Sequence, residues 1–224
     1  MSQSFTYFDS HTHQKYKEED IAFIRNAFHH LSYERLSALP YSFSIGIHPW
    51  DVKANYHAAF ELIKQNATHP QCKAIGECGL DYFIKTDKSL QAEVFKMQIA
   101  LAEQLQKPLI IHCVRAYHDL LPMLKNTSVP VVLHQYQGSL ELTKTLTAPN
   151  LYFSFGKQLF RENFDTALLE IIPITQILFE TDTMPMHIEE VYLKASTLLD
   201  VEFEELRQQV NSTAQKYFKK SYRH

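Results

Sequence analysis

The sequence is poor in the residues that build phosphate-binding loops or cross-linked frameworks. Only five of the 224 residues are glycine and three are cysteine, and no two cysteines form a Cys-x-x-Cys pair. The odd number argues against a disulfide framework and a thiolate zinc site, and it predicts a reduced, cytoplasmic setting. No Gly-x-Gly-x-x-Gly follows the first apolar run, and no Gly-x-Ser-x-Gly is present. These absences argue against dinucleotide binding and against a serine hydrolase.

A strong charge of one sign and long apolar runs are also missing. The net charge is −3, so no global basic field indicates a nucleic-acid partner, and phosphates must be recognised by a local site. The N-terminal segment has no basic stretch followed by an apolar one, and no run is long enough to span a bilayer. We therefore expect no signal peptide, no membrane partner and no obligate protein partner.

Short apolar runs alternate with segments of helical period along the chain. We predict strands at 5–8, 41–47, 73–76, 108–111, 130–133, 151–154 and 176–179. An eighth strand at 24–31 is ambiguous, because this stretch can equally be the end of a helix that begins near Glu18. Helices are predicted at 55–66, 90–105, 117–124, 140–146, 164–171, 189–199 and 203–218.

This alternation extends over residues 1–224 without an internal repeat or a linker, which predicts a single domain with a parallel sheet and helical crossovers. The pattern alone does not distinguish a closed (β/α)8 barrel from an open, doubly wound sheet.

Histidines and carboxylates stand just past the apolar runs. In a parallel barrel the C-terminal strand ends converge on one face, so residues distant in sequence meet there. We therefore predict a metal site built from one residue set at five strand ends: His11, His13, Glu77, His112, His134 and Asp182.

The residue types of this set suit one another chemically. Imidazoles with carboxylates favour Zn²⁺ or Mn²⁺ over Ca²⁺. His11 and His13 are two residues apart, so in an extended segment both side chains point to the same side. Glu77 has two oxygens and can bridge two ions, and a two-ion site can activate water at neutral pH.

Simpler interpretations apply to other residues. A lone histidine after a strand is more often a hydrogen-bonded structural residue than a ligand, and His48, before a proline turn, fits that description. Period-2 alternation turns Cys78 and Cys113 away from the site, so we predict core thiols. Tyr82 and Tyr136 follow ligand strands and either line the pocket or pack in the core.

With these residues in place, the chain resembles the TatD family of metal-dependent deoxyribonucleases. The resemblance covers nearly the whole chain and is carried by motifs in a fixed order: Asp9-Ser10-His11-Thr12-His13, Gly46-Ile47-His48-Pro49, the segment 76–82, the segment 111–116, His134 with Gly138-Ser139, Glu180-Thr181-Asp182, and Asn211 with Phe218.

The resemblance implies a TIM-like (β/α)8 barrel with two divalent ions per subunit, Zn, Mn or Mg. His11, His13, Glu77 and Asp182 would hold one ion, and Glu77, His112 and His134 the other. Glu77 and Asp182 would be the catalytic residues, with Asp182 as the proton acceptor. The resemblance further implies that Arg115, His48 and Tyr82 bind substrate. The planar guanidinium of Arg115 is suited to a phosphate.

The sequence departs from the family pattern outside the ligands. The stretch from His13 to His48 is short, which predicts a shortened early helix, and the loops after Asp81 and Asp182 are abbreviated. The predicted function is phosphodiester hydrolysis on DNA or nucleotides, of the 3′-end exonuclease type. Two alternatives stay open: hydrolysis of an ester or amide, including an aminoacyl ester on tRNA, and a catalytically idle metal-binding barrel.

Overall fold

A computed structural model describes residues 5–27 and 30–218, with Tyr217 described in its backbone only. One sheet of eight strands runs through it. The strands are β1 (Tyr7–Thr12), β2 (Ile21–Ala27), β3 (Phe43–Ile45), β4 (Cys72–Asp81), β5 (Leu109–Val114), β6 (Val131–Leu133), β7 (Leu151–Phe155) and β8 (Ile177–Phe179).

The strands lie side by side in chain order, and every neighbouring pair is parallel. The two edges of the sheet meet at a parallel bridge between Thr12 and Asp182. At this seam Asp182 N donates to His11 O (3.0 Å), and His13 N donates to Asp182 O (2.8 Å). The prediction of a closed barrel is therefore confirmed, and the alternative of an open, doubly wound sheet is excluded.

Helices follow most strands and cover the outside of the barrel. They are α1 (Tyr33–Ser37), α2 (Tyr56–Asn66), α3 (Lys88–Leu105), α4 (Tyr117–Leu124), α5 (Leu140–Thr145), α6 (Ala167–Ile171), α7 (Ile188–Leu199) and α8 (Phe203–Phe218). Short 3₁₀ turns stand at Pro49–Asp51, Lys157–Phe160 and Ile174–Gln176. No helix in the described ranges combines the length and the apolarity needed to span a bilayer.

The early part of the chain corrects one detail of the sequence prediction and confirms another, the shortened early helix. The ambiguous segment 24–31 is a strand but begins earlier, at Ile21, so its interpretation as a helix end is wrong; Phe28 and His29 lie outside the described residues. Between β1 and β2 the described residues 13–20 form no helix, and α1 has only five residues. Segment 21–27 forms strand β2 because it pairs on both sides, with β1 and with β3.

Helix α3 fixes the ends of two strands through glutamine side chains. Gln91 accepts from Asp81 N (2.8 Å) and donates to Asp81 O (3.0 Å), and Gln98 does the same with Ile47 N (2.7 Å) and O (3.1 Å). Both glutamines are buried, so each amide acts as a piece of neighbouring strand and satisfies backbone groups that would otherwise be unpaired. The backbone next to His48 is held in this way.

Candidate metal centre

The six predicted ligands meet at the C-terminal end of the barrel, and we call them the ligand cluster: His11, His13, Glu77, His112, His134 and Asp182. Three overlapping groups within it and around it place candidate ligand atoms within 4.8 Å of one another: His11 with Glu77 and His134, His11 with His13 and Asp182, and His48 with Glu77 and His112. The sequence prediction of convergence therefore agrees with the geometry of the described residues.

Glu77 is central because its two oxygens face different histidines. Oε1 lies 3.0 Å from His11 Nε2 and 3.2 Å from His13 Nε2. Oε2 lies 3.2 Å from His134 Nε2 and 3.9 Å from His112 Nδ1. Asp182 Oδ1 joins the first group, 3.8 Å from His11 Nε2 and 3.6 Å from His13 Nε2. The donor atoms thus divide into two sets that share one carboxylate.

A glycine allows this close meeting of strands β4 and β5. Gly79 has a φ of +136°, and a Cβ at this position would lie 2.1 Å from the carbonyl oxygen of His112. Only glycine tolerates this conformation and approach without strain. The short motif after Glu77 therefore has a structural purpose, which is to bring the backbone of His112 against β4.

Outer carboxylates hold two of the imidazoles. His134 Nδ1 lies 3.2 Å from Glu180 Oε1, and His112 Nε2 lies 3.3 Å from Asp81 Oδ2. A carboxylate fixes a proton on the ring nitrogen it faces, which leaves the other nitrogen directed toward the centre. In both histidines that other nitrogen points toward Glu77 Oε2. Carboxylate-oriented imidazoles of this kind are typical of metal ligands.

His48 differs from these two histidines in the protonation of the ring nitrogen that faces the centre. Its Nδ1 accepts a hydrogen bond from Trp50 N (3.2 Å) at the start of the 3₁₀ turn. The neutral ring must then carry its proton on Nε2, which faces Glu77 Oε2 at 3.6 Å. Burial, together with the neighbouring His112, lowers the pKa of His48 to about 4, so the ring is neutral. His48 therefore presents an N–H donor to the centre rather than a lone pair.

Charge in the centre is concentrated on Glu77. Burial acts to raise its pKa, but the neighbouring His11 and His134 outweigh burial and hold the pKa well below its usual range. Burial lowers the pKa of His112, and His134 beside it acts in the same direction, so His112 is neutral and able to bind a cation. The centre thus combines an ionised bridging carboxylate with a neutral imidazole.

His11 provides the test of whether a cation fits these residues. The ring is fully buried, and neither of its nitrogens makes a hydrogen bond of acceptable geometry, although Nε2 lies close to Glu77. Buried polar atoms are nearly always satisfied, and an unsatisfied one indicates a missing partner such as an ion. A divalent cation between Nε2 and the two carboxylates supplies that partner, so the residues fit a metal ion.

The predicted substrate contacts are placed differently from the ligands. Arg115 follows β5 with a φ of +53° and is exposed, and its guanidinium carbon lies 5.0 Å from the centre of the Phe83 ring. The Tyr82 hydroxyl donates to Asp119 Oδ2 on α4 (2.7 Å), so the side chain points toward the helices. Period-2 alternation from the inward Asp81 explains this direction. Their roles as substrate contacts stay predictions.

Two residues near Glu77 and Asp182 complete the surroundings. Asn26 on β2 donates from Nδ2 to Glu77 Oε1 (2.8 Å), and Lys157 Nζ lies 3.4 Å from Asp182 Oδ2. Sequence analysis missed Asn26, because it lies inside the ambiguous strand and no motif marks it. The outer partners Asp81 and Glu180 stand in recognised motifs, but their facing histidines appear only in three dimensions.

Comparisons with known proteins agree with this geometry. Residues 29–219 match the family described as TatD related DNase. An uncharacterized metal-dependent hydrolase of Bacillus subtilis, YabD, is 31% identical over 195 residues, which cover 79% of this chain and 76% of that protein. A protein of Musicola paradisiaca named 3′-5′ ssDNA/RNA exonuclease TatD is 34% identical over 144 residues, covering 61% of this chain and 54% of its own length.

A human protein and a solved structure extend the comparison. The human 3′-5′ RNA nuclease TATDN2 is 34% identical over 148 residues, which are 62% of this chain but 19% of that protein. The crystal structure of YjjV, a TatD homolog from Escherichia coli, superposes with a TM-score of 0.82 over 96% of this chain and 98% of that chain. At 18% identity this last likeness shows the fold alone.

Proposed function

The chain belongs to the TatD related DNase family, and from this premise we propose that it is a divalent-metal-dependent phosphodiesterase that removes nucleotides from the 3′ end of single-stranded DNA or RNA. The observation that carries the proposal is the division of donor atoms around Glu77. Its two oxygens serve separate sets of histidines, and outer carboxylates orient two of these rings. The names of the bacterial and human relatives support the choice of nucleic acid.

We propose two ions, held by the same residues that the resemblance implies. His11, His13, Glu77 and Asp182 would hold one, and Glu77, His112 and His134 the other. The donor set suits Zn²⁺ or Mn²⁺, and Mg²⁺ is a third candidate. When bound, the ions would supply Lewis acidity at the phosphoryl oxygens and lower the pKa of a water molecule toward neutrality.

The protein groups around the ions have separate tasks in this proposal. His48 Nε2–H donates to a nonbridging oxygen of the scissile phosphate, as its fixed proton allows. Asp182 accepts the proton of the attacking water while the new P–O bond forms and the bond from phosphorus to the 3′ oxygen of the preceding sugar breaks. Lys157, which contacts Asp182 Oδ2, holds the carboxylate in place. The departing oxygen takes a proton from solvent.

The substrate end is set by the rim of the barrel. With a net charge of −3, the proposal restricts contact to one or two phosphates near a strand end, where a single nucleotide enters without deforming a duplex. Arg115 is the phosphate contact that we propose, because its planar fork suits a phosphate. We also propose action in the cytoplasm, which the three free cysteines support.

The test is an assay of the metal-loaded protein on end-labelled single strands with Mg²⁺, Mn²⁺ or Zn²⁺. We expect stepwise shortening from the 3′ end. A parallel panel of carboxylic esters, amides and aminoacyl-tRNA serves as the comparison. Turnover of an ester or amide without cleavage of any oligonucleotide would replace the proposed function with the hydrolase alternative, and no turnover of any substrate would favour an idle metal-binding barrel.

A further inference from the structure

Two large aromatic side chains beside the ligand cluster are unusually exposed. Trp50 is 65% exposed and Phe83 is 70% exposed, and no other large apolar side chain in the described ranges reaches these values. Exposed apolar surface of this kind is unfavourable in water and often marks a binding site. The proposed chemistry at the phosphorus uses neither side chain.

Both residues are attached to the same carboxylate. Trp50 Nε1 donates to Asp81 Oδ2 (2.7 Å), and Phe83 N donates to Asp81 Oδ1 (2.9 Å). Asp81 Oδ2 also faces His112, as described above. The Trp50 ring lies edge-on to His48 (5.2 Å between centroids) and to His112 (6.4 Å). The Trp50 ring is therefore held against two histidines of the centre, and the backbone of Phe83 is tied to the same carboxylate.

A cation accompanies the pair. Arg115 stacks over Phe83 at 5.0 Å, so its charge lies against one of the two exposed aromatic rings. An apolar ester or acyl chain would gain nothing from a guanidinium at this place. Flat rings combined with arginine are instead the elements that bind single-stranded nucleic acids, where bases stack on aromatic faces and arginine contacts the backbone.

We propose that Trp50 and Phe83, with Arg115, form a stacking platform that binds a nucleobase next to the scissile phosphate. The inference rests on the proposed function and deepens it, because it makes the base a recognised part of the substrate. Every base has a flat π-face, so the platform discriminates by the presence of a base and not by its identity. Bases inside a duplex are already stacked, so the platform favours single strands.

The unique tryptophan makes the platform directly observable. Trp50 is the only tryptophan in the chain, so intrinsic fluorescence reports on this position alone. We would titrate the Mg²⁺-loaded protein with a thymidine tetranucleotide whose phosphorothioate linkages resist hydrolysis. The matched probes carry an abasic sugar on either side of the last linkage. Saturable quenching by the complete probe, lost with at least one abasic probe, is expected. Equal quenching by all three probes, or none, would overturn the platform.

Substitutions separate stacking from the hydrogen bond to Asp81. Trp50→Phe keeps an aromatic face but removes the indole N–H, and Trp50→Leu removes both. The measured quantity is the ratio of kcat/KM for the complete oligonucleotide to that for the most affected abasic one. Removing a stacking face is expected to lower this ratio by about fivefold to a hundredfold, mainly through KM. Trp50→Leu and Phe83→Leu should lower it, and Trp50→Phe should largely retain it.

Phe160→Leu is the matched control, because Phe160 is an exposed phenylalanine in the turn after β7. An equal loss of the ratio in Trp50→Phe and Trp50→Leu would show that Trp50 acts only through Asp81. An unchanged ratio in Phe83→Leu would remove Phe83 from the platform. Cleavage that ignores the missing base would contradict the platform while the proposed function stands. Base-dependent quenching without cleavage of any oligonucleotide would support the platform and contradict the proposed function.

Discussion

The inner ligand cluster and the outer rim of this site differ in how far their side chains are exposed to solvent. His11 is fully buried and Glu77 is 6% exposed, and both ring nitrogens of His112 and of His134 face carboxylates. The rim, which we define as Trp50, Phe83, Arg115 and Lys157, is largely exposed, although Trp50 is hydrogen-bonded to Asp81 and Lys157 contacts Asp182. The buried cluster fixes the chemistry, and the exposed rim is the part that can meet the rest of the substrate. Reaction type and substrate choice are therefore separable here.

Removing the carboxylates of the ligand cluster should abolish catalysis almost completely. Glu77→Gln keeps the shape of the side chain but cannot bridge two ions, and Asp182→Ala removes a ligand and the proton acceptor. We expect kcat/KM to fall about a thousandfold or more on every substrate. Circular dichroism and metal content by mass spectrometry are the accompanying measurements. A folded Asp182→Ala protein with a near-normal rate would mean that another group accepts the proton.

The donor role of His48 predicts the next largest loss. His48→Ala removes an N–H aimed at the charge that develops on the phosphate, and such losses lower kcat by about a hundredfold or more. His48→Gln keeps a donor and should recover part of the rate. Metal content should be unchanged in both variants. Loss of one bound ion in His48→Ala would instead identify His48 as a ligand.

Outer carboxylates should show a smaller effect that separates them from true ligands. Glu180→Gln and Asp81→Asn leave the histidines in place but weaken the fixed orientation of their rings. Metal affinity is expected to fall about tenfold to a hundredfold. Isothermal titration with Zn²⁺ measures it. Glu61→Gln, which changes an exposed carboxylate on α2, is the control, and a loss of equal size there would point to a general charge effect.

The rim should give the smallest effect, seen in binding. With few phosphates contacted, the slope of log affinity against log salt concentration is expected to be about −1 to −3, since each contact in single strands contributes about 0.7. Arg115→Ala should weaken binding and flatten the slope by roughly one such contact. Fluorescence anisotropy across a salt series measures both. A steep slope accompanied by internal cuts would show that the rim contacts a long strand.

Sequence reasoning reached the barrel and the cluster for one reason. A ligand at the end of a parallel strand converges with the others whatever the loops do, so local patterns such as Asp9-Ser10-His11-Thr12-His13 carry global information. Seven of the eight helices in the described residues were placed within a few residues because their apolar side chains recur at helical spacing, as at Tyr117–Leu124. Helix α1, with only five residues, was not predicted. Strand β2 was ambiguous because the buried positions of Ile21–Ala27 recur every third residue, a spacing that suits a helix as well as a strand.

The contacts that sequence reasoning could not supply depend on side-chain direction. Asn26 beside Glu77, and the tautomer of His48 fixed by the Trp50 backbone, follow from distances between strands that no linear spacing encodes. Tryptophan and phenylalanine are common in hydrophobic cores, and only the solvent exposure of Trp50 and Phe83 in the fold distinguishes them from core residues.

The seam of the barrel has a consequence for how the protein is made. Asp182 closes the sheet against Thr12 and belongs to the ligand cluster, while His11 and His13 leave the ribosome some 170 residues before it. A nascent chain that stops short of β8 therefore has an open sheet and an incomplete cation site. Closure of the barrel and completion of the ligand cluster are therefore one event, which waits until β8 and Asp182 have emerged from the ribosome.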